Sequence, residues 1–190
     1  MKRFPLLFAL LVSALLSGCF WPEKFDAKVI VNPDASYAVK FTGRVAHVPM
    51  VMQMVTTKQP PSAKDEVEVK RVVDRVAKDP EVKNIAYLGN GRFNLETEAA
   101  HKAGTKTNLM GMIIVSTDKS GVMTIASGRI NDKDKAQLKD LGLTVTGNLE
   151  VALPKNVEVI SSNATSSPKF FGLVGTHSWK IGSSDDASTS

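Results

Sequence analysis

The sequence predicts an α+β fold, in which two amphipathic helices pack on a mostly antiparallel sheet of hairpins. Short apolar segments with alternating polar residues are typical of strands, and turn sequences rich in Gly, Asn, Asp and Pro separate them. Two other stretches have apolar residues at helical spacing instead. Strands that follow one another as hairpins, with few helices, favour an α+β layer architecture over alternating parallel units.

The first two strands are predicted to form an antiparallel hairpin that opens the domain. Apolar residues dominate 25–31, and in 37–42 they alternate strictly with smaller or polar residues. The intervening Asn32-Pro33-Asp34 is typical of a turn, because proline fixes one backbone dihedral.

Residues 62–76 are predicted to form an amphipathic helix. Ser62 and Asp65 have the spacing of a capping box, which marks a helix start. The valines follow at helical spacing until Asp79-Pro80, at positions 69, 72, 73 and 76. We expect this valine face to pack on the sheet and the charged face to lie in water.

The second half adds two hairpins, a second helix and further strands. Strands at 82–88 and 92–99 flank Gly89-Asn90-Gly91, whose residues tolerate the positive φ of tight turns. A second hairpin joins 112–116 to 122–126, and a helix is predicted at 131–141, capped by Asn131 or Asp132 and ended by Gly142. Strands at 143–153, 157–160 and 176–181 bring the expected total to between seven and nine.

The methionine-rich segment 48–55 leaves two conformations open. If it is extended, Met50, Met52 and Met54 share one face, an array of thioethers suited to Cu(I). If it is helical, the methionines fill core gaps or line a groove. The second use is favoured because no cluster of His or Cys stands nearby in sequence. Together with Val69 and Val73 on the neighbouring helix, the three methionines would line a groove for a lipid or a partner's apolar segment.

The N-terminus predicts export and lipid anchoring. Lys2 and Arg3 precede an apolar run at 4–16, which has the layout of a signal peptide and is too short for a permanent membrane span. Leu16-Ser17-Gly18-Cys19 follows and holds the only cysteine of the chain. These four residues resemble the lipobox of bacterial lipoproteins. The resemblance implies cleavage between Gly18 and Cys19, an S-diacylglyceryl group and an N-acyl group on Cys19, and stable attachment through two or more acyl chains. The alternative is an incidental thiol near an ordinary cleavage site.

The domain resembles the LppM-type domain of exported bacterial lipoproteins. The resemblance rests on the strand 144–151, Leu153-Pro154 with 157–159, Ser162-Asn163, the segment 177–180, and the opening hairpin just after the lipobox. It implies a lipid-tethered mixed α/β envelope domain with no catalytic residues. Chains of this kind often continue into a membrane-spanning helix, whereas no apolar segment follows Ile181 here, so a second anchor is not expected.

Composition argues against several classes of function. The net charge of +5 falls to +3 when Lys2 and Arg3 leave with the signal peptide, and basic residues form no run of five, so nucleic acid is not an expected partner. The three histidines lie in unrelated segments, at positions 47, 101 and 177, and no Gly-x-Ser-x-Gly motif occurs. We therefore predict no catalytic residue, no metal site and no cofactor.

These observations predict a non-enzymatic, membrane-anchored envelope lipoprotein that binds an apolar or lipid ligand or an envelope partner. A signal peptide is expected at 1–18, a lipidated tether at 19–24, a single LppM-like domain at 25–182 and a disordered tail at 183–190. The alternatives are a cell-wall or lipid hydrolase and a methionine-rich Cu(I)-binding lipoprotein.

The residues after the predicted lipidation site favour the outer membrane, with the domain in the periplasm or at the cell exterior. In a Gram-negative cell, resemblance to other lipoproteins implies that the residue after the cysteine decides sorting, and Phe20 is not the aspartate associated with inner-membrane retention. Phe20 and Trp21 are expected at the level of the lipid headgroups, which aromatic side chains prefer.

Overall fold

A computed structural model describes residues 20–128, 130, 132–155, 157–168 and 176–182 of the chain. These residues form nine strands and three helices, which confirms the predicted α+β class and the mostly antiparallel pairing. The predicted signal peptide, Cys19, the helix cap Asn131 and the tail 183–190 lie outside the described residues.

The nine strands fall into one large and one small sheet. In chain order they are β1 (Phe20–Val31), β2 (Tyr37–His47), β3 (Val82–Gly89), β4 (Arg92–His101), β5 (Thr107–Leu109), β6 (Ile113–Thr117), β7 (Met123–Ser127), β8 (Thr146–Ala152) and β9 (His177–Ile181). The large sheet has the order β3-β4-β2-β1-β8-β9, and the small one β5-β6-β7. Neighbouring strands are antiparallel throughout except β1 and β8, which are parallel.

The helices are α1 (Val48–Thr57), α2 (Ala63–Val76) and α3 (Asp132–Asp140). The predicted capping box begins α2: Ser62 N–H donates to Asp65 Oδ2 at 2.7 Å, and Asp65 N–H donates to Ser62 Oγ at 3.3 Å. Among the residues that the structure describes, no helix has the length and apolar character needed to span a bilayer.

The core lies on one face of the large sheet. Phe25, Phe41, Leu95 and Leu149 from four strands of this sheet are buried there, each 2 % exposed or less. Further members of the cluster come from α1, α2 and the small sheet with its β5–β6 turn, and include Met50, Val69, Met112, Ile113 and Val115. These elements therefore cover the inner face. On the opposite face, Ala46 at the end of β2 is buried against Val51 and Leu143, and the middle of the sheet is open to solvent with polar side chains.

Strand β1 is longer than predicted and begins at Phe20. Phe20 is paired with His47 at the end of β2, and its ring packs edge-on against Phe93 with centroids 5.4 Å apart. Only 5 % of Phe20 is exposed, and Trp21 packs partly buried against the core. Residues 20–24 therefore belong to the sheet and not to a tether, and Phe20 is a core residue instead of a headgroup anchor.

The methionine-rich segment is helical, the favoured one of the two conformations that its sequence leaves open, with Pro49 in the first turn, where a missing N–H costs no hydrogen bond. Two other features differ from the sequence-based expectations. Residues 157–160 form no strand, because β9 occupies the edge position beside β8 and Ile160 is 72 % exposed. The short strand β5 was not predicted, since three residues carry too little periodicity.

Two glycines make room for Phe25 in the centre of the sheet. Phe25 has Gly43 of β2 on one side and Gly147 of β8 on the other, both in register with it. A Cβ at position 147 would lie 2.6 Å from the Phe25 ring, and one at position 43 would lie 2.5 Å from the Lys24 carbonyl oxygen. Phe25 also stacks on Phe41, with ring centroids 5.5 Å apart. Glycine is therefore required on both sides for steric reasons.

Gly147→Ala is expected to lower the free energy of unfolding by about 1–3 kcal/mol, because the added methyl group overpacks the site against a ring that cannot move away. Urea denaturation measures this loss. The double variant Phe25→Leu/Gly147→Ala is the control: its loss should be clearly smaller than the sum of the two single losses. Strictly additive losses would show that the ring and the glycine do not constrain each other.

Candidate functional site

Two rows of polar side chains cross the open face of the large sheet. They come from outward-facing positions of β2, β1, β8 and β9 that are in register with one another. The first row is Thr42, Asp26, Asn148 and Lys180, and the second is Lys40, Lys28, Glu150 and Ser178.

Each charge near the middle of these rows has a partner. Lys28 Nζ lies 3.4 Å from Glu150 Oε2, and Lys40 Nζ lies 2.9 Å from Glu98 Oε1 on β4. Asn148 Nδ2 donates to Asp26 Oδ1 at 2.8 Å. The hydrogen bond and the positive charge of Lys40 hold the pKa of Glu98 below its usual value. Although Lys28 and Lys40 face each other across the strand pair, their acidic neighbours compensate the repulsion.

The segment before β9 adds a wall to this surface. Ser166 N–H donates to the Ser178 carbonyl oxygen at 3.2 Å, and Ser178 N–H donates back to Ser166 at 2.8 Å. Asn163 Oδ1 accepts a hydrogen bond from Trp179 Nε1 at 2.9 Å. Thr165 and Ser166 then stand beside the two rows and complete a groove of about 470 Å³, which is within the range of ligand-binding clefts. We call it the open-face groove.

Sequence reasoning did not predict the open-face groove. The outward positions of β1 and β2 are visible as the polar half of an alternating pattern. Their assembly with Asn148 and Glu150 depends on the parallel register of β1 and β8, and no sequence signal specifies a pairing between segments so far apart.

The five residues proposed for an apolar groove do not line one cavity. Met50 and Met54 border a pocket of about 100 Å³ between α1 and the start of α2, together with Pro60 and Pro61. That volume is below the usual size of a ligand pocket. Val69 is 3 % exposed inside the core, Val73 packs partly buried against it, and Met52 is half exposed.

The three methionines of α1 also fail to form a soft metal site. A helix places Met50 and Met54 on one side and Met52 nearly opposite, because residues four apart share a face. The Met50 sulfur accepts a long contact from Tyr87 Oη at 4.0 Å. The extended geometry that a thioether array requires is therefore not the one that this segment adopts.

Glu23 is a buried carboxylate, but it is fully engaged. The side chain is 5 % exposed; Arg44 Nε lies 3.1 Å from its Oε2, and its Oε1 accepts a hydrogen bond from Arg92 Nε at 3.2 Å. The register shift between Pro22 and Lys24 accompanies this arrangement. The two ion pairs join the beginning of β1 to β2 and β4, which is a structural role.

The three histidines lie far apart. His47 follows Val45 and Ala46 at one end of β2, whereas His101 is paired with Tyr37 at the other end, their ring centroids 5.0 Å apart. Eleven residues of strand separate these ends, or about 35 Å. His177 lies in β9 beside Val151. In the part of the chain that the structure describes, no three His, Cys, Asp or Glu side chains converge as metal ligands would.

Stability is expected to decrease as the pH falls below the usual histidine pKa of about 6.5. Burial lowers the pKa of His47 and of His101, more than the nearby Glu68 and Glu81 raise them. The unfolded chain therefore binds protons first, so this contribution is complete above pH ~6.5 and is lost as the pH falls toward the folded-state values. Urea midpoints at about pH 7.5 and about pH 5.5 measure the difference.

The double variant His47→Gln/His101→Gln is the control for this pH dependence. Its urea midpoint should change less between the two pH values than that of the natural chain. Four carboxyl groups have a pKa below their usual value and therefore do not titrate between pH ~5.5 and ~7.5; these groups are Asp34, Asp65, Glu98 and Asp118. An equally steep pH dependence in the double variant would show that these histidines are not responsible.

Comparison with known proteins adds no relative: no protein-family model matches the chain, and neither does any curated protein or solved structure. The functional assignment therefore depends on the N-terminal sequence and on the geometry of the open-face groove.

Proposed function

We propose that this chain is a membrane-anchored envelope lipoprotein of the LppM type, which binds a polar envelope component in its open-face groove and catalyses no reaction. The observation that carries the binding role is the groove itself, about 470 Å³ of space on a solvent-exposed sheet with a wall at Thr165 and Ser166. Cys19 holds the protein at a membrane, favoured as the outer membrane, and the domain faces the periplasm or the cell exterior.

The position of β1 supports anchoring through Cys19. The lipobox sequence ends at Cys19, and the sheet begins at the next residue, Phe20. Two or more acyl chains at this point would hold a folded domain stably at a bilayer. No spacer separates the acyl chains from the fold, so the domain would lie against the membrane surface.

The charges of the open-face groove favour binding over catalysis. Glu150 is paired with Lys28, and Asp26 accepts from Asn148, so neither carboxylate stands ready as a general acid or base. None of the three histidines lines the groove. These contacts count against the hydrolase alternative, which needs an activated nucleophile or a positioned acid and base.

The groove also favours a polar over an apolar ligand. Its side chains offer both donors and acceptors, with lysines and carboxylates nearly balanced. An acyl chain would exclude water from these charged and polar groups and offer them no hydrogen bond in return, which costs free energy for each one. The pocket beside Met50 and Met54, which Gln53 and Asp65 also line, has a volume of about 100 Å³ and is too small to hold an acyl chain instead.

Cys19→Ala is expected to abolish acylation. In cells fed a clickable palmitate analogue, the natural chain should carry the label, and the variant should lose essentially all of it and leave the membrane fraction. The mass of the purified natural protein should correspond to an acylated chain that begins at Cys19. Met52→Leu is the matched control and should keep the label. A mature chain that starts elsewhere, or that has no acyl mass, would contradict the anchor.

A photo-crosslinker on the wall of the open-face groove is expected to capture the bound component. With p-benzoylphenylalanine at Thr165, illuminated cells should yield a discrete adduct, and the same probe at Asn94, on the same sheet face outside the groove, should not. Asn148→Trp fills the floor and should reduce the adduct about tenfold or more, which corresponds to ~1.4 kcal/mol of affinity. Equal adducts at the two positions, or no reduction in the filled variant, would reject the groove as a binding site.

A further inference from the structure

Helix α1 differs from α2 in that it carries no charge. Charged residues occupy eight of the 14 positions of α2 and none of the 10 positions of α1. A surface helix normally keeps charged side chains on its solvent side. The uncharged solvent side of α1 therefore requires an explanation beyond solubility.

One side of α1 is buried and the other is uncovered. Met50 and Val51 are 7 % and 3 % exposed, and both pack into the protein. Met52, nearly opposite Met50, is 50 % exposed, and Val55, one turn after Val51, is 45 % exposed, large values for apolar side chains. We define the α1 surface as Pro49, Met52, Val55 and Thr56; the polar residues Gln53 and Thr57 are also exposed and border it.

The α1 surface lies at the end of the sheet where the chain meets Cys19. Phe20 is paired with His47, the residue that precedes α1. Paired strand residues are about 5 Å apart, so Phe20, which follows Cys19 in the chain, lies about 5 Å from the residue before α1. The His47 N–H donates to the Gly91 carbonyl oxygen at 2.7 Å, and Leu88, itself half exposed, is at the same end.

We propose that the α1 surface rests in the headgroup region of the bilayer that holds Cys19. This inference depends on the lipid anchor of the proposed function. A helix at the membrane interface buries its apolar face a few ångströms deep and keeps its cations at the level of the headgroups. Lys58, directly after α1, is placed to do this. A helix of about three turns binds a bilayer only weakly by itself. The acyl anchor keeps α1 close to the membrane and so raises its effective concentration at the bilayer.

This second contact fixes how the domain stands on the membrane. An acyl anchor alone permits rotation about the N-terminus, whereas contact through α1 restricts it. Strand β1 then leads away from the bilayer, and its 12 residues place the turn at Asn32 up to about 40 Å from the membrane surface. The open-face groove, midway along β1, is held clear of the headgroups.

A fluorescent probe on the α1 surface tests this contact. Because Cys19 is the only cysteine and is acylated in the anchored protein, Met52→Cys provides a single free thiol for an NBD label. Pro33→Cys, exposed in the distant turn, is the matched control. The lipidated full-length mature proteins are reconstituted in vesicles of phosphatidylethanolamine and phosphatidylglycerol, and iodide quenching and emission wavelength are compared. We expect blue-shifted emission and about threefold or more protection at position 52, and neither at position 33.

Mass spectrometry of the N-terminal peptide distinguishes a failure of the lipid anchor from a failure of the α1 membrane contact. Equal quenching at positions 52 and 33 in a protein with its acyl mass would overturn the membrane contact of α1 and leave the anchor intact. A mature chain with no acyl mass would overturn the anchor, and the contact that depends on it. Protection at 52 in the acylated protein supports both.

Discussion

The fit of Phe25 between Gly43 and Gly147 is the constraint on which the large sheet depends. One aromatic side chain fills the space that two neighbouring strands leave free, on the antiparallel side and on the parallel side of β1. A shift of either register by one residue would place a side chain against the ring and turn the buried face outward. The inner core and the outer polar rows are therefore fixed together, because both follow from the same two registers.

The parts of the fold that the sequence predicts are local. The capping box at Ser62, the hairpin at Asn90 and the alternation from Tyr37 to Phe41 each involve neighbours in the chain, so short-range patterns suffice. The methionine-rich segment was ambiguous because its apolar residues satisfy two periods. Burial of Met50 and Val51 resolves it as a helix, and this is a tertiary effect that propensity does not contain.

The candidate site escaped prediction for a related reason. Its floor combines Asp26 and Lys28 with Asn148 and Glu150, which come from segments more than 100 residues apart and meet through parallel pairing. The sequence pattern indicated instead a groove between apolar residues that are near one another in the chain. Met50 and Pro60 do line a common pocket there. The space there is small, since Val69 and Val73 are used by the core. The polar residues that form the larger groove looked like ordinary solvent-facing positions.

The two edge strands of the large sheet determine whether neighbouring copies of the protein can add strands to one another. Strand β3 is irregular at two points along its pairing with β4 and exposes Lys83, and the five-residue β9 meets Ser166 on its outer side. Unpaired edge strands invite addition of a strand from a neighbouring molecule, and irregularity, charge and cover are the features that prevent it. If Cys19 anchors the protein as proposed, confinement to a membrane surface would make strand addition between neighbouring copies more frequent than in solution. The sheet is thus suited to high packing density without fibril formation.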